Sequence, residues 1–234
     1  CIFKDTFQLT ASYASQEYHH RWFIQNIDDG VHIENISDQR NGFQIAGPRA
    51  AEVLQECTSV RVEEIRFLDV LEMTVGRTDC IVQKVSYTGD QGFEIYCDST
   101  DQQSLWNTLW TAGKDYGMTP FGMRAMMSLR LDRFFGSWMS EFSPDYTAAE
   151  TGLDRFVSFK KNVDFIGRSV AEAERASPPL RQLVVFEVDA AEADIVSYEP
   201  VFINDEVQGY CTSGGFSHHA KKSIAFALVP RAMV

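Results

Sequence analysis

From residue 181 onward the chain is a succession of strand-like segments. Segments rich in β-branched and aromatic residues, RQLVVFEVD, EPVFIND, EVQGYCTSGG and KKSIAFALV, are separated by turn residues. Short strands at such regular spacing are typical of a small barrel or sandwich. The pattern therefore predicts that the C-terminal part of the chain forms one antiparallel, β-rich domain.

The preceding residues alternate between helix and strand signals. Strands are predicted at residues 31–37 (VHIENIS) and 42–47 (GFQIAG), and in LDVLEMTVG, DCIVQKVSYTG, GFEIYC and DRFVSF, with a first hairpin turning at Lys4-Asp5. Helices are predicted from about Ser15 to Asn26, after Pro48, from a capping Asp101 to about Tyr116, over 122–134, and from Arg168 to Arg175.

This order of elements predicts an α+β chain in three parts. Residues 1–37 are interpreted as the remnant of an α+β lobe, 38–150 as a central α+β lobe, and 151–234 as an incomplete, barrel-like β domain. Because the chain opens in mid-strand and stops just after a strand, we expect a fragment truncated at both ends.

Charge and composition narrow the functional classes. A net charge of −12 disfavours nucleic acid as a partner, because nucleic-acid binding needs a basic face. No apolar run approaches the roughly 18 residues of a membrane span, and no signal segment opens the chain. Five cysteines without a CxxC pair predict neither disulfides nor a metal site. We therefore expect a reducing compartment, the cytoplasm or a mitochondrial matrix.

One glutamate lies in unfavourable surroundings for a charge. Glu94 stands between Phe93 and Ile95 in VSYTGDQGFEIYC, where glycines join two predicted strands. Burying a carboxylate is costly unless a partner compensates it. Spacing alone favours an arginine as that partner. The alternative is that Tyr87 and Glu94 face one ligand from neighbouring strands, since a carboxylate can accept two N–H groups of a flat heterocycle.

Arg130 is the candidate arginine. It shares a face of the predicted helix 122–134 with methionines, so we expect it to be partly buried and to need an acidic partner. Glu94, Asp132 and Glu141 are the candidate acids, and the spacing does not choose among them.

Several motifs in a fixed order resemble the glycine-cleavage T-protein (aminomethyltransferase) superfamily. They are GFQIAGPRAAEVLQECT, VSYTGDQGFEIY, SLRLDRFFGSWMSE, TGLDRFVSF with FIGR, and GYCTSGGFSHHAKKSIAFALVP. The segment TGLDRFVSFKKNVDFIGR and the tryptophan of GSWMSE look more like the C-terminal folate-binding region of dimethylglycine and sarcosine dehydrogenases. Those enzymes carry an N-terminal FAD domain, so FAD is expected only in a missing N-terminal segment.

The resemblance implies a cloverleaf of lobes around tetrahydrofolate, with residues 38–150 as the folate-binding lobe. By motif position, it implies that the folate is held by Tyr87 and Glu94, with Trp138 as an aromatic wall and Glu141 as a further candidate. The catalytic residue is unknown, because the family aspartate is expected upstream of Cys1. Met126 stands where T-protein has a folate-binding arginine, which fits the dehydrogenase branch.

The implied reaction moves a one-carbon unit from an N-methyl amine substrate to tetrahydrofolate, giving 5,10-methylenetetrahydrofolate. One alternative is a free-standing aminomethyltransferase or another folate-dependent demethylase. Another class is a non-catalytic folate-binding protein, such as the iron–sulfur-assembly paralogues. Those paralogues carry a cysteine motif that the segment TGLDRFVSF lacks.

Overall fold

The computed structural model describes residues 2–3 and 5–234, with side chains from residue 5 onward. The chain divides into two compact units, Cys1–Gly122 and Met123–Val234. Each unit contains one four-stranded antiparallel sheet together with helices, so the predicted α+β class is confirmed.

The N-terminal unit holds most of the helices. Its strands are β1 (Ile2–Phe3), β2 (Thr6–Phe7), β3 (Arg40–Ala46), β4 (Val70–Val75), β5 (Thr78–Gln83) and β6 (Gly92–Asp98). Its helices are α1 (Gln16–Asn26), α2 (Ala50–Gln55) and α3 (Gln102–Gly113). Strands β1 and β2 form the predicted hairpin, whose predicted turn residue Lys4 lies outside the described residues.

The sheet of this unit has the order β3-β6-β5-β4, and one of its faces forms the core. Side chains alternate between the two faces of a strand, so Phe93 and Ile95 share a face and are fully buried. Helices α2 and α3 cover that face with Leu54 and Leu105, which are also fully buried. The opposite face is left with the polar residues of the same strands.

The C-terminal unit contains the four strands that were predicted from residue 181 onward. Helices α4 (Met123–Leu129) and α5 (Arg168–Ala176) precede strands β7 (Arg181–Val188), β8 (Pro200–Ile203), β9 (Glu206–Ser217) and β10 (Lys222–Pro230). The sheet order is β7-β10-β9-β8, with every pair antiparallel. Strand β10 lies between β7 and β9, and its residues 223–229 are all buried.

Two predicted strands are absent. Residues 31–36 are irregular, because the Asn35 side chain accepts hydrogen bonds from both the N–H and the hydroxyl of Ser37. Such local bonds compete with a strand ladder. DRFVSF instead begins as a 3-10 turn, Asp154–Phe156, because the N–H groups of Phe156 and Val157 donate to the carbonyls three residues earlier.

Two helix predictions need correction. Asp101 makes no side-chain cap, and the carboxylate of Asp98 accepts the N–H of Thr100 instead. Trp106 on this helix is 38% exposed and stacks on Trp110. The helix predicted over 122–134 ends at Leu129 and continues as a 3-10 turn, Leu131–Arg133, so it is shorter than expected.

Strands β9 and β10 approach each other closely at Gly209. A Cβ added at Gly209 would lie 2.1 Å from the carbonyl oxygen of Leu228, a backbone atom that cannot move independently of the sheet. We expect Gly209→Ala to lower the free energy of unfolding by about 1–3 kcal/mol, as overpacking does. Urea denaturation measures this loss. Gly122→Ala is the control, because an added Cβ there meets nothing within 4 Å. Equal stability of the two variants would contradict the close approach.

Candidate functional site

Glu94 lies on the sheet face opposite the N-terminal core. The strand alternation that buries Phe93 and Ile95 directs Glu94 to the other face. The register places Gln44 of β3 directly opposite Glu94 on one side and Gln83 of β5 on the other. We call Gln44, Glu94 and Gln83 the polar row. It runs across three adjacent strands.

The carboxylate of Glu94 is held by a phenol. The Tyr96 hydroxyl donates a hydrogen bond of 2.5 Å to Oε2 of Glu94. Burial, reinforced by this bond to a carboxylate, raises the pKa of Tyr96, so the phenol keeps its proton and remains a donor at neutral pH. Within residues 5–122, no arginine forms an ion pair with Glu94. A carboxylate has about four acceptor sites, so Glu94 retains capacity for further donors.

Two glycines on this face show what borders the polar row. A Cβ on Gly42 would lie 2.8 Å from the Tyr96 ring, so that ring lies directly over Gly42. A Cβ on Gly92 would lie 2.8 Å from Cβ of Ser86, so the loop 84–91 lies over Gly92. The polar row is therefore bordered by an aromatic ring on one side and by this loop on the other.

Tyr87 lies in that same loop. Strands β5 and β6 pair antiparallel, so the predicted reversal of the chain is confirmed. However, β5 ends at Gln83 and β6 begins at Gly92, so Tyr87 lies in a turn and not on a strand as expected. Its side chain is half-buried. A shared ligand for Tyr87 and Glu94 stays a prediction.

The other predicted ligand residues, Trp138 and Glu141, belong to the C-terminal unit. Trp138 lies in a turn and is half-buried, whereas Glu141 is fully buried. Oε2 of Glu141 accepts the backbone N–H of Ser137 at 2.8 Å. Glu141 therefore closes the short segment 137–141, which carries Trp138.

Glu141 also provides the acid for Arg130. Nη1 of Arg130 donates to Oε2 of Glu141 at 3.2 Å, and Nη2 donates to the Ser213 hydroxyl at 2.6 Å. That hydroxyl in turn donates to Oε1 of Glu141 at 2.5 Å. We call Arg130, Glu141 and Ser213 the buried ion cluster. Of the three candidate acids, the structure thus pairs Arg130 with Glu141, and both oxygens of Glu141 have donors.

Sequence reasoning missed Gln44, Gln83, Tyr96 and Ser213. The first three share the strand parity of Glu94, so the alternation in GFQIAG, DCIVQ and GFEIYC could have placed them on its face. Their alignment in one row needed the register, which the sequence does not show. Ser213 had no such signal, because it lies 83 positions from Arg130.

Residues 5–234 contain no group of three or more His, Cys, Asp or Glu side chains placed to hold a metal ion. In the same part of the chain, no helix is both long and apolar enough to cross a bilayer. The four described cysteines are buried and free, and burial raises the pKa of the Cys80 thiol to about 12, so it is unreactive at neutral pH.

Two family models together match most of the chain. The GCVT N-terminal domain matches residues 1–161, and the glycine cleavage T-protein C-terminal barrel domain matches residues 181–234. The chain therefore belongs to the glycine cleavage T-protein family, and the resemblance inferred from its motifs is confirmed.

Individual relatives fall into two groups. Human mitochondrial dimethylglycine dehydrogenase is 33% identical over 96% of this chain, which spans 26% of that protein. The aminomethyltransferase of Caldanaerobacter subterraneus is 34% identical over 94% of this chain, which spans 59% of that protein. The solved aminomethyltransferase T of Bartonella henselae superposes with a TM-score of 0.74 at 26% identity, covering 82% of this chain and 52% of the other. The predicted T-protein-like fold is thereby confirmed.

The buried ion cluster makes a testable contribution to stability. Arg130 is 3% exposed and Glu141 is fully buried, so Arg130→Met leaves a buried carboxylate without its cation. We expect the free energy of unfolding to fall by about 3–5 kcal/mol, as for other buried pairs that lose one partner. Urea denaturation followed by circular dichroism measures the change.

The control is Lys222→Met, which breaks the exposed ion pair with Glu187 and should cost at most about 1 kcal/mol. Adding Glu141→Leu to Arg130→Met should restore part of the lost stability, because it removes the stranded charge. A small loss in Arg130→Met, or no recovery in the double variant, would show that the cluster does not stabilise this unit.

Proposed function

We propose that this chain is a tetrahydrofolate-binding one-carbon transfer domain of a dimethylglycine or sarcosine dehydrogenase-type enzyme. The observation that carries the proposal is Glu94, a carboxylate on the non-core face that is held by a phenol and has no cation within residues 5–122. Such a carboxylate attracts N–H donors, and the pterin ring of folate offers an amino group and a ring N–H side by side.

The surroundings of Glu94 support a flat ligand. The Tyr96 hydroxyl occupies Oε2 and keeps the carboxylate oriented, because its raised pKa keeps it protonated. The Tyr96 ring lies over Gly42, and the loop that carries Tyr87 lies over Gly92. These groups restrict the directions from which a heterocycle can approach the carboxylate.

The residues of this chain act by binding and orientation. When bound, tetrahydrofolate supplies the nitrogen that accepts the one-carbon unit from an N-methyl amine. Glu94 fixes the rotation of the heterocycle in its plane, so that one edge of the ring faces the protein and the other faces the incoming carbon. We assign no residue of this chain to proton transfer, since the family aspartate is expected upstream of Cys1.

In this proposal, Tyr87 contributes aromatic surface to the folate. Glu141 acts differently from its first interpretation as a ligand, because both of its oxygens have protein donors. We assign it a positioning role in which it fixes the segment that carries Trp138.

The enzyme context has two candidates. Identity does not separate them, since the human dehydrogenase and the Caldanaerobacter aminomethyltransferase are 33% and 34% identical to this chain. Met126, at the position of the T-protein arginine, supports the dehydrogenase-type context. An FAD domain in the same full-length polypeptide would support it further, and a full-length protein without one would favour the aminomethyltransferase.

The decisive test of folate binding is calorimetric titration of tetrahydrofolate into the full-length protein and its Glu94→Gln variant. We expect a loss of at least about 1.4 kcal/mol, or tenfold in affinity, because glutamine presents one acceptor and one donor where the ligand needs two acceptors.

The matched control is Glu72→Gln. Glu72 lies on the same sheet face on the edge strand β4, where it is exposed. Its substitution should leave the affinity unchanged. Equal affinity of wild type and Glu94→Gln would remove Glu94 from the site and refute the proposed function.

A further inference from the structure

Gln44 carries a buried hydrogen-bond donor without a partner. Its Nε2 atom is enclosed, yet it makes no hydrogen bond, a condition shared in the described part of the chain only with Nε of Arg130. A buried donor without an acceptor loses its bonds to water and receives nothing in return. An orphaned donor on the sheet face that carries Glu94 is a candidate contact for a ligand.

The position of Gln44 suggests which ligand. Gln44 lies directly opposite Glu94 in the β3–β6 pair, and side chains at such positions extend from the same face with Cβ atoms about 4.5–5.5 Å apart. The sheet therefore presents a donor beside the acceptors of a carboxylate. Nε2 of Gln44 does not donate to Glu94 itself, so Glu94 does not satisfy this donor.

We infer that Gln44 selects a heterocycle with a ring carbonyl next to the N–H groups that Glu94 holds. A 2-amino-4-oxo pteridine presents, along one edge, a carbonyl acceptor, a ring N–H donor and an amino donor. The donor of Gln44 and the acceptors of Glu94 complement this edge in the same order. The inference rests on the proposed function and deepens it, because it names a residue that contributes to the preference for a 4-oxo ring over a 4-amino ring.

The other glutamine of the polar row provides the contrast. Gln83 flanks Glu94 on the opposite side, on β5, and it already has an interaction partner in the structure. Gln83 and Gln44 are thus chemically identical side chains at equivalent distances in register from Glu94. Of these two glutamines, only Gln44 has a buried donor without a partner. Of the two, we therefore expect only Gln44 to affect the preference for a 4-oxo ligand.

The experiment compares tetrahydrofolate with its 4-amino analogue, tetrahydroaminopterin, in which an amino group replaces the ring carbonyl and the adjacent ring nitrogen carries no hydrogen. Calorimetric titration into the full-length protein measures the ratio of the two affinities. Wild type should favour the 4-oxo ligand, and Gln44→Leu should lower the ratio of 4-oxo to 4-amino affinity at least tenfold. Gln44→Glu should lower the ratio further than Gln44→Leu does, because a carboxylate accepts from the 4-amino group and repels the carbonyl. Gln83→Leu should leave the ratio unchanged.

The outcomes separate this inference from the proposed function. Loss of affinity in Glu94→Gln with an unchanged ratio in Gln44→Leu would overturn the role of Gln44 and leave folate binding intact. An equal change of the ratio in Gln83→Leu would also overturn it. If Glu94→Gln binds tetrahydrofolate as wild type does, the proposed function itself fails. Thermal unfolding checks the fold, and Gln44→Leu should be at least as stable as wild type, because it removes an unpaired buried donor.

Discussion

The antiparallel register of β3, β6 and β5 is the constraint on which the candidate site depends. It aligns Gln44, Glu94 and Gln83 across the sheet while Phe93 and Ile95 fill the core on the other face. Because side chains alternate with a period of two, a slip of one residue would turn Glu94 into the core and Phe93 out of it. The burial of the apolar residues of β6 therefore also holds the carboxylate on the outer face.

Glu141 and Glu94, the two glutamates considered as ligand residues, differ in how their negative charge is compensated. Glu141 is fully enclosed and has an arginine, a serine hydroxyl and a backbone N–H as donors, so its charge is compensated within the protein. Glu94 is half-buried and has the hydroxyl of Tyr96 as its donor. Compensation by several donors is typical of a structural group, whereas the remaining acceptor capacity of Glu94 fits a binding role.

The accuracy of the sequence predictions follows from the kind of signal behind each one. Strands β7 to β10 and strands β4 to β6 were predicted, because long apolar patterns report burial directly. The segments 31–37 and 154–159 were wrongly predicted as strands, since their alternation or aromatic content resembled a strand while side-chain and turn hydrogen bonds decided the backbone. Tyr87 was assigned to a strand for a similar reason, although the ladder ends at Gln83.

The sequence by itself determined the α+β class, the family, and the presence of one carboxylate, Glu94, between two apolar residues of a predicted strand. It left open whether Glu94 meets an arginine or a ligand, and which acid pairs with Arg130. Only the tertiary structure decided that Arg130 belongs to Glu141 and Ser213, and that Gln44 lies beside Glu94 with an unpaired donor. The physical reason is that hydrogen-bond partners are set by contacts between residues distant in sequence, whereas periodicity reports only the face on which each side chain lies.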